Sequence, residues 1–464
     1  MNEVRDRALS SLRGGLNGSS YDGRVFLVGG YVRDRVMGLA TAGNDIDLVL
    51  EGDALELARF LFDAGIADRP PVVYPRFGTA MVQVGGLDVE LVTARVESYA
   101  QDSRKPDQVK PGTLAQDAMR RDFTINTLLE NLQTGEVIDP TGFGKIDLEA
   151  GILRTPTAPG ATFADDPLRM LRAVRFATRF GFRIDDETWN GIQANAARLS
   201  IVSRERVRDE FNKIVLTARA ELGLNLLRKS GLLANFLPEL LEMVGVTQNA
   251  FHALPVWEHT LEAVQNLPSD APLAVRLATL FHDIGKPRTK STDPDDGAVH
   301  FYRHEDVGAE MVSAIMTRLK YSNDEIETVR LLVAEHMRIG EYKAAWTDAA
   351  VRRLIRDLGG NLDALFDIHR ADVSALAHGH QEPVRSRELR ARIDSIQAQQ
   401  DITKLTSPLD GNQIMQILGL PPGPVVKAAK EMLTAEVVEG RLMPDDRETA
   451  EALLRNKFGE HNHS

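Results

Sequence analysis

Val25-Phe26-Leu27-Val28-Gly29-Gly30-Tyr31-Val32-Arg33-Asp34, followed closely by Asn44-Asp45-Ile46-Asp47-Leu48, decides how the N-terminal part of this chain reads. Four apolar residues of a strand enter two glycines, a helix leaves them, and a second strand carries two carboxylates at alternate positions, hence on one face. Gly29 and Gly30 let the backbone approach a triphosphate, and the N-terminus of the following helix favours its charge. Asp45 and Asp47 on one face repel each other and resist burial. A divalent cation, Mg²⁺ beside a reacting phosphate, resolves that conflict. In a two-metal arrangement one ion activates the attacking hydroxyl and the other steadies the leaving pyrophosphate. Glu90, which alternates with Val89 and Leu91 on an expected neighbouring strand, is a candidate third carboxylate. An Asp-x-Asp pair alone marks a solvated strand edge. The preceding Gly-Gly-x-Val-Arg-Asp turns the reading toward nucleotidyl transfer.

Working outward, short β-rich runs (Val25 to Val28, Asp45 to Leu50, Ala80 to Val84, Val89 to Val92) alternate with helical ones such as Ala54 to Ala64 up to about Asp139. After Pro140 the pattern turns helical and stays so, giving an α+β chain overall. Gly151 to Gly160, with two prolines and two glycines, reads as a linker into a helix over Pro167 to Arg179. The length of 464 residues exceeds one ordinary core and suggests roughly three domains. Segment by segment the chain divides into 1–150, 151–240, 241–380 and 381–464. Hydrophobic content of 43% and charged content of 26% indicate a packed chain throughout. No apolar stretch approaches the ~20 residues of a membrane span, and Met1-Asn-Glu-Val-Arg-Asp lacks the plan of a signal peptide, so a cytoplasmic protein is expected. The absence of cysteine removes disulfides and thiolate metal sites, leaving oxygen and imidazole as metal ligands. A net charge of −12 argues against wholesale binding to a polyanion but leaves room for a local basic surface.

Three further runs stand out. Asp117-Ala-Met-Arg120-Arg121-Asp122-Phe-Thr-Ile-Asn126 offers arginines that can clamp phosphates and Asp or Asn groups that can bond ribose hydroxyls. Asp165-Asp166-Pro167-Leu-Arg169-Met-Leu-Arg172-Ala-Val-Arg175 begins with a helix cap at Asp166 and sets Leu168, Leu171 and Val174 as a core stripe. Ser203-Arg-Glu205-Arg206-Val-Arg-Asp-Glu210 follows.

Between Phe251 and His380 lies a second constellation: His259, the pair His282-Asp283, His304, His336 and Asp372. Leu277, Leu280, Phe281 and Ile284 mark a helix face that Gly285 and Pro287 end, placing His282 and Asp283 in its last turn. Imidazoles with carboxylates and no sulfur suit Mn, Fe, Ni, Co or Mg better than a structural zinc.

The five ordered motifs of the first half resemble the class II tRNA nucleotidyltransferase and bacterial poly(A) polymerase family, within the DNA polymerase beta superfamily. The resemblance implies a nucleotidyltransferase head over 1–150 with Gly29, Gly30, Arg33, Asp117, Arg120, Arg121, Asp122 and Asn126 about the nucleotide, and a neck over 151–240. It further implies that Asp166 and Arg169 form a protein template for the incoming base, with Arg172, Arg175, Glu205 and Arg206 near it. A carboxylate accepts from the exocyclic amine of cytosine or adenine, while a guanidinium donates to the adjacent ring nitrogen. Uracil and guanine would leave both groups mispaired. Asp165 stands where Glu is usual and Thr127 where Ala is usual; neither removes a reacting group. Val256-Trp-Glu-His259 and Leu280-Phe-His282-Asp283-Ile-Gly285-Lys286 resemble the HD phosphohydrolase superfamily. That implies a metal-dependent phosphatase or 2′,3′-cyclic phosphodiesterase with His259, His282, Asp283 and Asp372 as ligands, and His304 and His336 at a second metal position or on phosphate. The implied partners are the tRNA 3′ end, CTP and ATP, with Mg²⁺ at the first site, a transition metal or Mg²⁺ at the second, and a monomer or homodimer. Poly(A) polymerase, and an HD hydrolase with a spent head, are the alternatives. Arg104, Lys105, Lys110, Arg385, Arg387, Arg390, Arg392, Lys427 and Lys430 are candidate RNA contacts.

Overall fold

The computed structural model describes residues 2–39, 46–99, 106–248, 253–295, 297–376, 384–399 and 406–458. These form two compact units, Met1–Leu241 and Glu242–Ser464. Asp45, Arg104 and Lys105 lie outside the described residues.

The first unit opens with helix α1 (Asn2–Leu16), strand β1 (Val25–Val28), helix α2 (Gly30–Val36), β2 (Ile46–Leu50) and α3 (Ala54–Asp63). Then come β3 (Val72–Tyr74), β4 (Thr79–Val84), β5 (Leu87–Thr93), a β6 (Arg95–Tyr99) and β7 (Pro106–Pro111) ribbon, α4 (Leu114–Met119), β8 (Leu129–Asn131) and β9 (Val137–Ile138). Seven of these strands make one sheet in the order β3-β4-β5-β2-β1-β8-β9. Only β2 and β5 run parallel; Ile46 pairs with Val89 and Asp47 with Glu90. Helices α1 and α3 pack on β4 and β5. Leu57, Ala58 and Leu61 of α3 are fully buried there, as are Leu48, Leu91 and Ala80 of the strands. Asp53 caps α3 by accepting from the Leu55 N–H.

The stretch read as a linker is ordered. After α5 (Gly144–Ala150), β10 (Ile152–Leu153) pairs in parallel with β11 (Arg183–Ile184), and α6 (Pro159–Asp165) starts on its proline. Strands of two or three residues leave no periodicity to read, which is why this segment and the sheet edges β3, β8 and β9 escaped the sequence pattern. Helix α7 (Leu168–Phe180) begins one residue later than expected and runs one residue further, with the Asp166 carboxylate accepting from the Leu168 N–H at 3.1 Å. Its apolar stripe of Leu171, Val174 and Ala177 is fully buried. Around it lie α8 (Asp186–Asn195), α9 (Arg204–Val215) and α10 (Ala220–Lys229), with α9 and α10 packed directly on α7.

The second unit is helical apart from a short ribbon. Its elements are α11 (Val256–Gln265), α12 (Leu273–Phe281), α13 (Lys286–Thr289), β12 (Ser291–Thr292), β13 (Val299–His300), α14 (His304–Arg318), α15 (Asn323–Glu335), α16 (Asp348–Leu358) and α17 (Leu362–Ser374). Helix α12 packs against α11, α15 and α17. It ends at Phe281, so His282 is its C-cap and Asp283 lies just beyond the helix rather than in its last turn. Helix α18 (Val384–Gln399) packs on α16, and α19 (Gly411–Leu418), α20 (Pro424–Val438) and α21 (Arg447–Phe458) enclose a small core of their own around Ile414, Leu433 and Leu454.

Gly285 sets the closest approach in this unit. A Cβ there would sit 2.1 Å from the His304 carbonyl oxygen and 2.8 Å from the Gly308 nitrogen, both backbone atoms of α14. Gly285→Ala should therefore push α14 away and destabilise the unit by about 1–3 kcal/mol. Urea unfolding followed by near-UV circular dichroism checks this; an unchanged midpoint would contradict the packing described.

Candidate active sites

In the first unit the polypeptide turns from β1 into α2 at Gly29, whose φ of 77° and ψ of −140° is a conformation open to glycine. The Oδ2 of Asp47 lies 3.5 Å from where a Cβ on Gly29 would be. Beside this turn is a cavity of about 330 Å³ lined by Gly29, Gly30, Tyr31, Arg33, Asp34, Asp47, Arg121, Asp122, Asn126, Arg172, Arg175, Phe176 and Arg179. Five guanidinium groups thus face three carboxylates, leaving the lining net positive.

One hydrogen-bonded chain holds most of this wall. Arg179 meets Asp34 at 3.2 Å, Asp34 takes two bonds from Arg33, and Arg33 Nη1 donates to Asn126 Oδ1 at 2.7 Å. Asn126 Nδ2 donates to Asp122 at 2.9 Å, and Arg172 donates to Asp122 Oδ2 through Nε and Nη2 at 2.8 and 2.6 Å. Phe176 and Phe180 lie under the Arg33 guanidinium at 5.1 and 4.8 Å. Burial pushes Arg33 below its ordinary value and Arg175 down to about 10. Burial alone would raise the Asp122 carboxyl, but the Arg172 charge and the Asn126 and Arg172 hydrogen bonds outweigh it and hold Asp122 down to about 2.

The other residues singled out in this half are placed as follows. Glu90 pairs in register with Asp47 on β5 but does not line the cavity. Asp117 is buried behind it and bonds Arg120 at 2.9 Å and Arg121 at 2.9 Å, fixing their orientation. Asp166 meets Arg206 at 2.9 Å, and Arg169 donates to the Arg120 carbonyl at 2.7 Å; none of these three lines the cavity. Glu205 is exposed on α9. Tyr31, Asp34, Phe176 and Arg179 are the cavity residues the sequence reading did not select. Arg179 continues the series Arg172 and Arg175 along α7, and that spacing was the signal available.

In the second unit four imidazoles converge. The Nδ1 atoms of His282, His304 and His336 lie 2.7, 2.9 and 2.7 Å from the carbonyl oxygens of Thr279, Phe301 and Val333, each three residues back, and His259 Nδ1 lies 3.3 Å from the Ala375 carbonyl. Each Nδ1–H is thereby spoken for, and each Nε2 is turned inward. His259 Nε2 is 2.8 Å from Asp372 Oδ1, and His304 and His336 bring their Nε2 atoms within 3.2 Å of each other. Asp283 bridges the set: its Oδ2 is 3.2 Å from His282 Nε2 and its Oδ1 3.5 Å from His304 Nε2. Ligand atoms of His259, His282 and Asp372 cluster within 4.8 Å, as do those of Asp283, His304 and His336. Two buried imidazole lone pairs facing each other at 3.2 Å repel unless a cation stands between or beside them, so the donor set fits divalent metal ions. Burial opposes a charge on His282, yet Asp283 and Asp372 raise it to about 10; burial and the charges of His282 and His304 push His336 down to about 3. The cluster therefore attracts positive charge, which a metal ion would supply in place of the proton.

Above it is a cavity of about 360 Å³ whose lining joins Asp283, Lys286, His304, His336, His369 and Asp372 to Val299, Phe301, Tyr302, Met337 and Val373. Lys286 Nζ is 2.7 Å from Asp283 Oδ2 and 2.7 Å from Gln248 Oε1. Lys286 and His369 were not selected from sequence, although His369 precedes Asp372 by three residues, the spacing of one helix face. Among the candidate RNA contacts, Arg390 pairs with Asp363 and Asp394, Arg392 with Asp348, and Lys427 with Glu431. Arg385 and Arg387 are exposed on α18. Among the described residues no helix is long and apolar enough to cross a membrane.

Fold and sites together define a nucleotidyltransferase joined to an HD domain, and comparison with known proteins is consistent along the chain. The Poly A polymerase head domain matches residues 25–154, the probable RNA and SrmB-binding site of polymerase A matches 181–243, and the HD domain matches 250–398. The A-adding tRNA nucleotidyltransferase of Deinococcus radiodurans is 36% identical over 68% of this chain and 73% of its own length. The CC-adding tRNA nucleotidyltransferase of Thermus thermophilus is 36% identical over 74% and 77%. In fold, the chain resembles the crystal structure of the Bacillus stearothermophilus CCA-adding enzyme in complex with CTP, with a TM-score of 0.65 at 24% identity over 100% of both chains. The chain belongs to the tRNA nucleotidyltransferase family.

The Asp122 shift has a measurable consequence. A carboxyl depressed from the ordinary 3.8 to about 2 contributes stability that is complete above the ordinary value and lost as pH falls through the lower one. Between pH 4 and pH 2 the wild-type first unit should lose about 2 kcal/mol more unfolding free energy than Asp122→Asn. Denaturant titrations at both pH values test this, and parallel losses would contradict it.

Proposed function

We propose that this protein extends the 3′ end of tRNA with C, A or both, taking CTP and ATP and using no nucleic-acid template. The observation that carries the reading is the net-positive, arginine-lined cavity beside Asp47. Arg33, Arg121, Arg172 and Arg175 would neutralise the triphosphate, with Gly29 and Gly30 admitting it against the backbone. The division of labour follows the four sequence segments: residues 1–150 the nucleotidyltransferase head, 151–240 the neck, 241–380 the HD domain and 381–464 the tail that meets tRNA.

In the reaction the tRNA 3′-oxygen bonds to the α-phosphorus, the bond from that phosphorus to the bridging oxygen breaks, and its electron pair leaves with pyrophosphate. The hydroxyl proton passes to a neighbouring carboxylate or to water. Asp45 and Asp47, with Glu90 beside them, would hold Mg²⁺; the paired register of Asp47 and Glu90 sets two like charges on one sheet face, a donor set suited to a hard cation. When bound, Mg²⁺ supplies charge neutralisation at the reacting phosphate and lowers the pKa of the attacking hydroxyl. Asp117 keeps Arg120 and Arg121 oriented, Asp122 and Asn126 position Arg172 and Arg33, and Asp166 with Arg169 would read the base edge once Arg206 yields its hold on Asp166. Glu205 and Arg206 sit next to that reader on α9.

A second activity is favoured by the inward-facing Nε2 atoms of the HD cluster. His259, His282, Asp283 and Asp372, with His304 and His336, would hold one or two divalent ions for hydrolysis of a phosphate ester, including 2′,3′-cyclic phosphates. Lys286 stands where it can contact a phosphate oxygen at the cavity floor.

Transcribed tRNA lacking its 3′ end, or ending in one or two C residues, should be lengthened in the presence of Mg²⁺ with CTP or ATP offered separately, and product lengths distinguish complete from partial addition and from runaway tailing. Asp47→Ala should lower incorporation by about 10²–10³-fold or more, and absence of any extension by the wild type would refute the proposal. Asp166→Ala should reduce discrimination against UTP and GTP by about tenfold or more; unchanged selectivity in the same assay would remove its role as base reader. For the HD site, Asp283→Ala should lower bound metal by elemental analysis and abolish metal-dependent phosphate release.

A further inference from the structure

The row of the sheet that carries Asp47 continues beyond the carboxylates. Glu90 pairs with Asp47, Met81 with Glu90 and Val72 with Met81, so these four side chains share one face in steps of about 4.8 Å. The opposite face of β4 and β5 is closed by α1 and α3, while the edge strand β3 is exposed on both faces. On the Asp47 face exposure rises toward the edge strand: Glu90 and Met81 are half-buried, Val72 is 52% exposed, and Tyr74, on the same face two residues along β3, is 48% exposed. Apolar and aromatic side chains thus form an open shelf running from the reacting carboxylates to the sheet edge, a surface that ordinarily marks a ligand.

Its position selects the occupant. In-line displacement at phosphorus puts the attacking oxygen and the leaving group on opposite sides. The arginine-lined cavity lies on the β1, α2 and α7 side of Asp47, and the shelf lies on the other, across β5. We infer that the shelf of Glu90, Met81, Val72 and Tyr74 seats the terminal nucleotide of the RNA acceptor, its base against Met81, Val72 and the Tyr74 ring and its hydroxyl toward Asp47. This rests on the nucleotidyl-transfer reading. Contacts of this kind use the flat face of a base and tolerate any of the four, which suits a seat that must accept each successive end of a growing product. The net-positive cavity recognises the incoming phosphates, while Met81, Val72 and Tyr74, beyond the Glu90 carboxylate, carry an uncharged stacking surface.

The test uses the full-length protein and tRNA bearing a single 4-thiouridine at its 3′ end, irradiated and mapped by mass spectrometry. Crosslinks should fall within Val72–Met81. Crosslinks confined to other segments, or none on the first unit, overturn the inference. Independently, the doubly substituted Val72→Ser, Tyr74→Ala protein should raise KM for tRNA about tenfold, leaving KM for CTP and ATP and kcat at saturating tRNA within about twofold. Tyr74→Phe should retain wild-type KM for tRNA. Both substituted residues are exposed, so folding is preserved, and thermal unfolding verifies it. An unchanged KM for tRNA in the double variant overturns the inference even while extension proceeds. If the wild type extends no acceptor, the nucleotidyl-transfer reading falls, and the crosslink position still decides for or against the shelf.

Discussion

The Asp122–Arg172 ion pair is the constraint on which the first unit's chemistry depends. It ties helix α7 to the segment that follows α4, and through Asn126 it extends to Arg33 and Asp34 on α2. Each of the three arginines on this helix has a carboxylate partner: Arg172 has Asp122, Arg175 has Glu210 at 2.7 Å and Arg179 has Asp34 at 3.2 Å. So held, Arg172, Arg175 and Arg179 lie against Phe176 and Phe180 and face a common cavity. Asp122 is buried while the Arg172 side chain is 34% exposed, so the pair contributes little net stability over an apolar substitute, but removing Arg172 strands a buried carboxylate. The pair's effect is positional: it fixes where the positive charge points.

The second unit solves the inverse problem. There the groups brought together are electron-pair donors, and the backbone rather than an ion pair aims them. Three of the four imidazoles use the same device, an Nδ1–H bonded to the carbonyl three residues back, which both selects the tautomer and turns Nε2 to the centre. Gly285 makes this possible, because its missing side chain lets the His304 backbone approach within the space a Cβ would need. Asp283 then touches both halves of the cluster, and Lys286 from the next turn offsets part of its charge.

What the sequence disclosed and what it hid divide along physical lines. Local signals survived: the strand-Gly-Gly-helix turn and the α7 stripe stand where spacing and motif placed them, because each depends on local backbone geometry, whereas His282 and Asp283 fall at and just beyond the end of α12 rather than in its last turn. Residues whose position depends on contacts distant in sequence were less visible. Arg33 reads as a phosphate ligand from its motif, yet its guanidinium is already engaged by Asp34 and Asn126. Asp117 reads as a ribose contact, yet it lies buried as the anchor of Arg120 and Arg121. Two-residue strands such as β10 and β11 tie the stretch after α5 to the stretch after α7 and have no pattern of their own. His369 shares a helix face with Asp372, but only the fold brings it to the cavity wall.

The two sites therefore differ in what each lacks. A cavity with more guanidinium than carboxylate on its walls is completed by an anion, and a triphosphate carries enough negative charge to satisfy it without further protein groups. A cluster of inward lone pairs around one bridging carboxylate is completed by cations, and a phosphate ester enters only once they are present. The same chain thus presents opposite charge deficits in its two compact units. That opposition separates the ligands: an anionic triphosphate suits the arginines of the first unit, whereas the buried Asp283 and the partly buried Asp372 suit cations, a need that Lys286 meets only in part.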